Sequence, residues 1–248
     1  MPAETIDDVI EQLSRIIDRS RATASRQGYF PALYRRVTRA VQRGIDDGLF
    51  DDPRRMERLD VLFANRYLDA WSAFDEGRPL TAAWRAAFDA AADPRPIVLQ
   101  HLLLGMNAHI NLDLAIAAAD SAPGAALADL EPDFRRINQV LAAEVDGVKA
   151  ALSAIWPKLR VLDWLAGSKD DRVVNFSLTK ARDHSWELAQ ALNESSAGER
   201  ERRIERADRR VTRLAWLIRK PGPIGRIKTW FVRTGERGSV PEIIDLLA

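Results

Sequence analysis

Residues 100–113 read QHLLLGMNAHINLD, inside a longer run, PIVLQHLLLGMNAHINLDLAIAAA, that spans 96–119. Leucine, isoleucine and alanine fill most of this stretch, so it reads as a helix that is apolar around nearly its whole circumference. That is the signature of a helix buried at the centre of a fold. Yet it holds two of the chain's three histidines, His101 and His109, together with Asn107, Asn111 and Asp113. An unpaired polar group in an apolar interior costs about 1–3 kcal/mol. These side chains therefore either satisfy one another or build a site. At about 100° per residue, with His101 at zero, Gly105, His109 and Asp113 fall near 40°, 80° and 120°. All four share one face, with Asn107 and Asn111 on the other side. Gly105 costs about 1 kcal/mol against alanine in a helix interior; close approach of another backbone, or of a ligand, would account for it.

The periodicity is helical on either side of this run. Thr5 caps a stripe of Ile6, Val9, Ile10, Leu13, Ile16 and Ile17 at i, i+3, i+4 and i+7 spacing. A second helix is predicted from about Pro31 to Asp47, ending at Gly48. Asp52 and Pro53 open a third, running to about Phe74. A short fourth covers 81–91. Beyond the central helix, helices are predicted over about 131–152, 172–193, 198–219, 223–234 and 240–247, and 156–171 reads as a broken connection with one short helix. No segment alternates as a strand does. The expectation is an all-α fold: a single multi-helix bundle of about eight to ten helices around the buried helix 96–119. One domain spans 1–248, with a basic C-terminal helical part over about 198–248.

Bulk properties exclude some function classes. The 248 residues carry a net charge of +1, which argues against a general polyanion binder. Residues 199–237 nevertheless hold 13 Arg and Lys against 5 Asp and Glu. This is either a solvated, self-paired helix surface, with Glu199–Arg203 among its i, i+4 pairs, or a contact for an acidic partner or anionic membrane surface. No cysteine is present, so disulfides, thiolate metal sites and a cysteine nucleophile are excluded. No secretory signal pattern is seen, and no run is expected to approach the ~18 apolar residues of a membrane span. A cytoplasmic location is the default expectation. Phosphate-binding loops of the G-x-x-x-x-G-K-[ST] and G-x-G-x-x-G types are missing, as are G-x-S-x-G, H-E-x-x-H and the aspartate-rich signature of helical prenyl-diphosphate enzymes. No helix-turn-helix stands out, and no nucleic-acid partner is predicted.

Three chemistries fit His109-x-x-x-Asp113. It can hold a metal ion, since both side chains can converge on one point. It can be a carboxylate that orients an imidazole. It can also be a purely structural pair. With His101 added, the ligand set His101, His109 and Asp113 would suit one Zn²⁺, Mn²⁺ or Fe²⁺ ion. On the third helix Asp60 shares a face with Ala64, Tyr67 and Trp71. An aspartate in that apolar stripe is a further carboxylate ligand, a general base whose pKa burial raises, or half of a buried ion pair with Arg182. The catalytic candidates are His109, Asp113 and Asp60. Tyr67, Arg182, Asn107 and Asn111 are further pocket candidates, the two asparagines being also candidates for hydrogen bonding between helices. His184 falls off the Arg182–Trp186 face. The two functions that follow are a metal-dependent or acid/base hydrolase-type enzyme acting on a small molecule, and a non-catalytic binding or scaffold protein whose buried polar groups are structural.

The run LQHLLLGMNAHINLDLAIA, with LDVLFANRYLDAW upstream and the later AR, W, A and L pattern, resembles an uncharacterised, mostly bacterial family of all-helical proteins known only as a domain of unknown function. GMNAHINLDL is the specific part. The resemblance extends over most of the chain, implies one domain that includes the basic C-terminal part, and carries no catalytic assignment. A looser likeness to helical zinc-dependent phospholipases rests on His109 and Asp113 alone. Three histidines in the whole chain are too few for a trinuclear zinc site.

Overall fold

The computed structural model describes residues 1–156 and 178–248, and every described regular element is a helix. In chain order they are α1 (Ile6–Ala22), α2 (Tyr29–Asp46), α3 (Pro53–Asp75), α4 (Ala82–Ala91), α5 (Val98–Ser121), α6 (Ala126–Ile155), α7 (Leu178–Asn193), α8 (Ala197–Arg219), α9 (Pro223–Arg233) and α10 (Val240–Leu247). The expected short helix near 157–171 and the start of the helix expected at 172 lie outside the described residues.

Local chemistry explains most boundaries. Thr5 and Asp8 form a reciprocal capping box at the start of α1. Asp52 accepts from the Arg55 amide with Pro53 at the first position of α3. Thr81 caps α4. Gly48 ends the turn after α2 at φ +70°, where a side chain would be strained. Other helix ends are satisfied from a distance. Asp208 on α8 accepts from the Ala82 and Ala83 amides at the start of α4. Glu236 accepts from the Val98 amide at 2.7 Å, and burial pushes its pKa up to about 7. The fully buried Asp133 on α6 accepts from the amides of Asp51 and Asp52 and from the guanidinium groups of Arg55 and Arg136. It ties the entry to α3 onto α6.

Helix α5 is the axis of the bundle, touching α2, α3, α4, α7 and α8. By length and composition it would pass for a membrane span, at a mean hydropathy of 1.4, contrary to the sequence expectation. But 83% of that window is buried inside the fold, the position of a core helix. Small residues Ala115 and Ala117–Ala119 are fully covered and let α7 lie close against the second half of α5. On another side Gln100 donates to the Ile218 carbonyl at 2.6 Å and Asn107 to the Val211 carbonyl at 2.9 Å, both on α8. Asn111 donates to Asn107 at 3.1 Å. Asn107 thus hydrogen-bonds between helices and Asn111 supports it.

The helix is not uniformly α. Over His109–Asp113 it widens into a π turn, a local form frequent at functional sites. The Leu114 amide donates to the His109 carbonyl, five residues back. The Ile110 carbonyl, which Leu114 would engage in a regular helix, accepts from the Ser185 hydroxyl on α7. Helix α7 therefore takes up the backbone group that the bulge releases.

Candidate functional site

Gly105 lies between the two histidines of α5, and its lack of a side chain makes room for Phe30. A Cβ there would stand 2.5 Å from the Phe30 ring. What approaches this glycine is neither the backbone nor the ligand expected there, but an aromatic side chain of α2. Phe30 also meets His109 edge-on at 5.6 Å between ring centroids. The ring so placed divides His101 from His109. His101 packs edge-on against Tyr29 and lines a small second pocket of 20 Å³ with Arg26, Tyr67 and Trp84, room for about one water. Burial lowers its pKa to about 4, with Arg26 adding to the effect.

His109 and Asp113 do come together, but with other company than expected. Nδ1 of His109 lies 3.5 Å from Oδ2 of Asp113, too long for a strong hydrogen bond. The same Asp113 oxygen accepts from the Trp84 indole at 2.7 Å, and Oδ1 from Arg66 at 3.3 Å. The carboxylate is thus anchored by α3 and α4 and faces the imidazole. The His109 ring stacks on Phe63, 3.6 Å between centroids and 7° from parallel, with Tyr34 against it at 4.5 Å. Burial pushes the His109 pKa down while Asp113 opposes it, so the ring is neutral at physiological pH. Neither ring nitrogen has a full hydrogen-bond partner among the described residues.

His109 forms part of the wall of a cavity of 320 Å³. Its walls are apolar side chains of α2, α3, α5 and α6, among them Val37, Leu59, Met106 and Leu141. Among the described residues the polar ones on the wall are Tyr34, Asp60, His109, Glu144, Lys149 and Arg182. Among the described residues Oδ2 of Asp60 is buried without a partner. The buried Tyr34 hydroxyl has the Thr38 hydroxyl, one turn on in α2, as its polar neighbour. Burial, then Glu57, raises the Asp60 pKa to about 7. Burial, then the charges of Asp60 and Asp113, pushes Tyr34 well above its usual value. Tyr67, fully buried on α3, is pushed up by burial and its hydroxyl also has no partner. It faces the second pocket, away from the larger one.

The ligand set His101, His109 and Asp113 does not fit a metal ion. Phe30 separates His101 from the other two, and Asp113 already serves Trp84 and Arg66. Among the described residues no three His, Asp or Glu side chains are grouped as metal ligands. No ion pair joins Asp60 to Arg182 either: Arg182 donates to the Phe134 carbonyl at 2.5 Å and its guanidinium lies 4.4 Å over the Phe134 ring. His184 is exposed, with Nδ1 beside the Lys180 carbonyl.

Sequence reasoning passed over Tyr34, Thr38, Phe63 and Trp84, and left Arg66 ambiguous between site and surface. Tyr34 and Thr38 carried a signal: two polar side chains one turn apart on the buried stripe of α2. Arg66 and Trp84 carried none, because their role depends on where α3 and α4 meet α5.

A family described as a family of unknown function, DUF5995, matches residues 6–221. The chain belongs to it. No curated protein and no solved structure matches the chain. The matched range takes in every helix that lines the cavity, from α2 to α7.

Proposed function

We propose that the cavity is the functional site, that it takes a mainly apolar small molecule, and that His109 and Asp60 do acid/base chemistry of the hydrolytic kind on it. One observation carries this reading. A 320 Å³ apolar cavity, the size of roughly the smaller ligand pockets, is faced by Tyr34 and by Asp60 and His109, the last two with buried polar atoms that find no full partner among the described residues. Buried polar groups are normally satisfied, and a ligand's polar group or a reacting water would complete them. A neutral imidazole oriented by a carboxylate suits a general base. An aspartate that titrates near 7 is present in both the proton-donating and the proton-accepting form at neutral pH. Two such groups on the wall of one cavity suit hydrolysis without a metal.

The neutral fluorophore N-phenylnaphthylamine tests occupancy. It should bind with about one-to-one stoichiometry and brighten, and Val148→Trp, which fills the cavity wall, should abolish this without unfolding the protein. An ester screen with wild type and His109→Gln then tests the chemistry. Binding retained with turnover lost supports it; equal turnover in both proteins removes His109 from the reaction.

A second reading concerns the basic C-terminal part. Trp216, Leu217, Trp230 and Phe231 are exposed there, with Lys220 over the Trp216 ring at 4.5 Å. Exposed aromatic residues amid basic ones suit the interface of an anionic bilayer. Co-sedimentation with phosphatidylserine vesicles, lost in Trp230→Ser/Phe231→Ser and absent with phosphatidylcholine alone, would support this contact.

A further inference from the structure

Among the described residues Arg182 is a buried cation with no counter-anion. Its residue is 6% exposed, and it lies on the wall of the cavity with Asp60 and His109. Buried arginines are almost always paired with a carboxylate or phosphate, because removing a charge from water is costly unless an opposite charge replaces the water. Here the described residues supply no such partner. The guanidinium donates one hydrogen bond to a backbone carbonyl, Phe134, and stacks on that residue's ring. Its Nε–H has no acceptor. Asp183, next in sequence, is exposed and pairs with Arg135. Glu144, the other carboxylate on the cavity wall, is held by Arg36 at 2.7 Å and Arg43 at 3.2 Å. Burial lowers the Arg182 pKa only to about 10, so the side chain remains charged at neutral pH. The exposed Lys149 stands on the same wall, beside the exposed Val145.

We infer that the cavity's ligand is an amphiphilic anion, an aliphatic chain ended by a carboxylate in the simplest case, whose charged group pairs with Arg182 while its chain fills the apolar space. This rests on the cavity being the binding site and adds the chemical class of what binds. A guanidinium held on one side by Phe134 keeps N–H groups for a carboxylate, which such a planar fork can receive on two points. Most of the rest of the wall is leucine, valine, methionine and phenylalanine, which favour an aliphatic chain through dispersion and dehydration.

The experiment is displacement of bound N-phenylnaphthylamine at neutral pH by dodecanoate, dodecanol and dodecylamine, which share a chain and differ in their head group. Dodecanoate should displace the probe at roughly tenfold lower concentration than dodecanol, as expected of a charge-assisted hydrogen bond, and dodecylamine should be the weakest. In Arg182→Met, dodecanoate should fall to the level of dodecanol while dodecanol is unchanged, with circular dichroism and the melting temperature confirming the fold. If that variant does not fold, the wild-type ranking decides alone. Equal binding of acid and alcohol, or a preference for the amine, overturns the assignment to Arg182 while leaving the cavity as a site. Failure of the probe and all three compounds to bind overturns the cavity reading itself, and this inference with it.

Discussion

Replacing Asp60 by asparagine should make the protein more stable, and increasingly so as pH rises. Asp60 is 8% exposed, and its Oδ2 has no hydrogen-bond partner. Burial raises its pKa from 3.8 to about 7. In the unfolded chain the carboxyl ionises near 3.8, whereas in the folded protein it holds its proton until about 7. Stability associated with the protonated form is therefore complete below the unfolded pKa and is lost as pH rises through the folded one. One pKa unit corresponds to 1.36 kcal/mol, so a shift of about three units costs the folded state on the order of 4 kcal/mol at pH 8. Asparagine keeps the shape and removes the titration. Urea unfolding of wild type and Asp60→Asn should give nearly equal stabilities at pH 4 and diverge from there to pH 8. The variant should melt about 8–15 °C higher at the alkaline end, at roughly 2–4 °C per kcal/mol for a chain of this size. Comparing the two proteins at each pH cancels the titrations of Glu236 and the histidines, which both share. A difference that does not change with pH, or a variant less stable at pH 8, would refute the claim that an unpartnered, ionisable carboxyl is buried here. A stabilised variant that also loses activity would be the usual trade between stability and a working site.

On the acid side the histidines act with the opposite sign. Burial depresses the pKa of both His101, to about 4, and His109, so stability is full above roughly 6.5 and lost as the unfolded chain takes up protons below that. His101→Phe should flatten the loss between pH 6.5 and 4.5 in urea midpoints measured across that range. Gly105→Ala should cost about 1–3 kcal/mol despite alanine's better helix propensity, because its Cβ would meet the Phe30 ring at 2.5 Å. Phe30→Leu in the same chain should recover part of that in a double-mutant cycle, which a loss unrelated to Phe30 would not show. Asp133→Asn should destabilise by about 3–5 kcal/mol, since it turns an amide donor toward a site built wholly of donors, with no effect on probe binding in the cavity.

The fold class, the central helix and many helix boundaries were legible in the sequence; α6 was not, running from Ala126 to Ile155 through Pro132 where 131–152 was expected. Caps, prolines and 3.6-residue periodicity act within a few residues of chain; the apolar content of 96–119 marks a helix removed from water, and its 83% burial places it in the core of the fold. The pairing of His109 with Asp113 was legible for the same reason, being one turn apart on one helix, as was the burial of Asp60 within an apolar stripe. The three-residue metal set was misread because helical phase places His101 on the same face but says nothing of what packs over that face. Phe30, from a helix some seventy residues earlier, occupies the space between. The π turn shifted the phase again at the residues that mattered. A pocket with Asp60, His109 and Arg182 among its residues was expected, but the lack of a partner for Arg182 among the described residues and the size and apolar walls of the cavity were not legible. Whether a buried charge finds a partner, and whether apolar side chains from four helices meet or leave a space, are properties of long-range packing, and no local pattern encodes them.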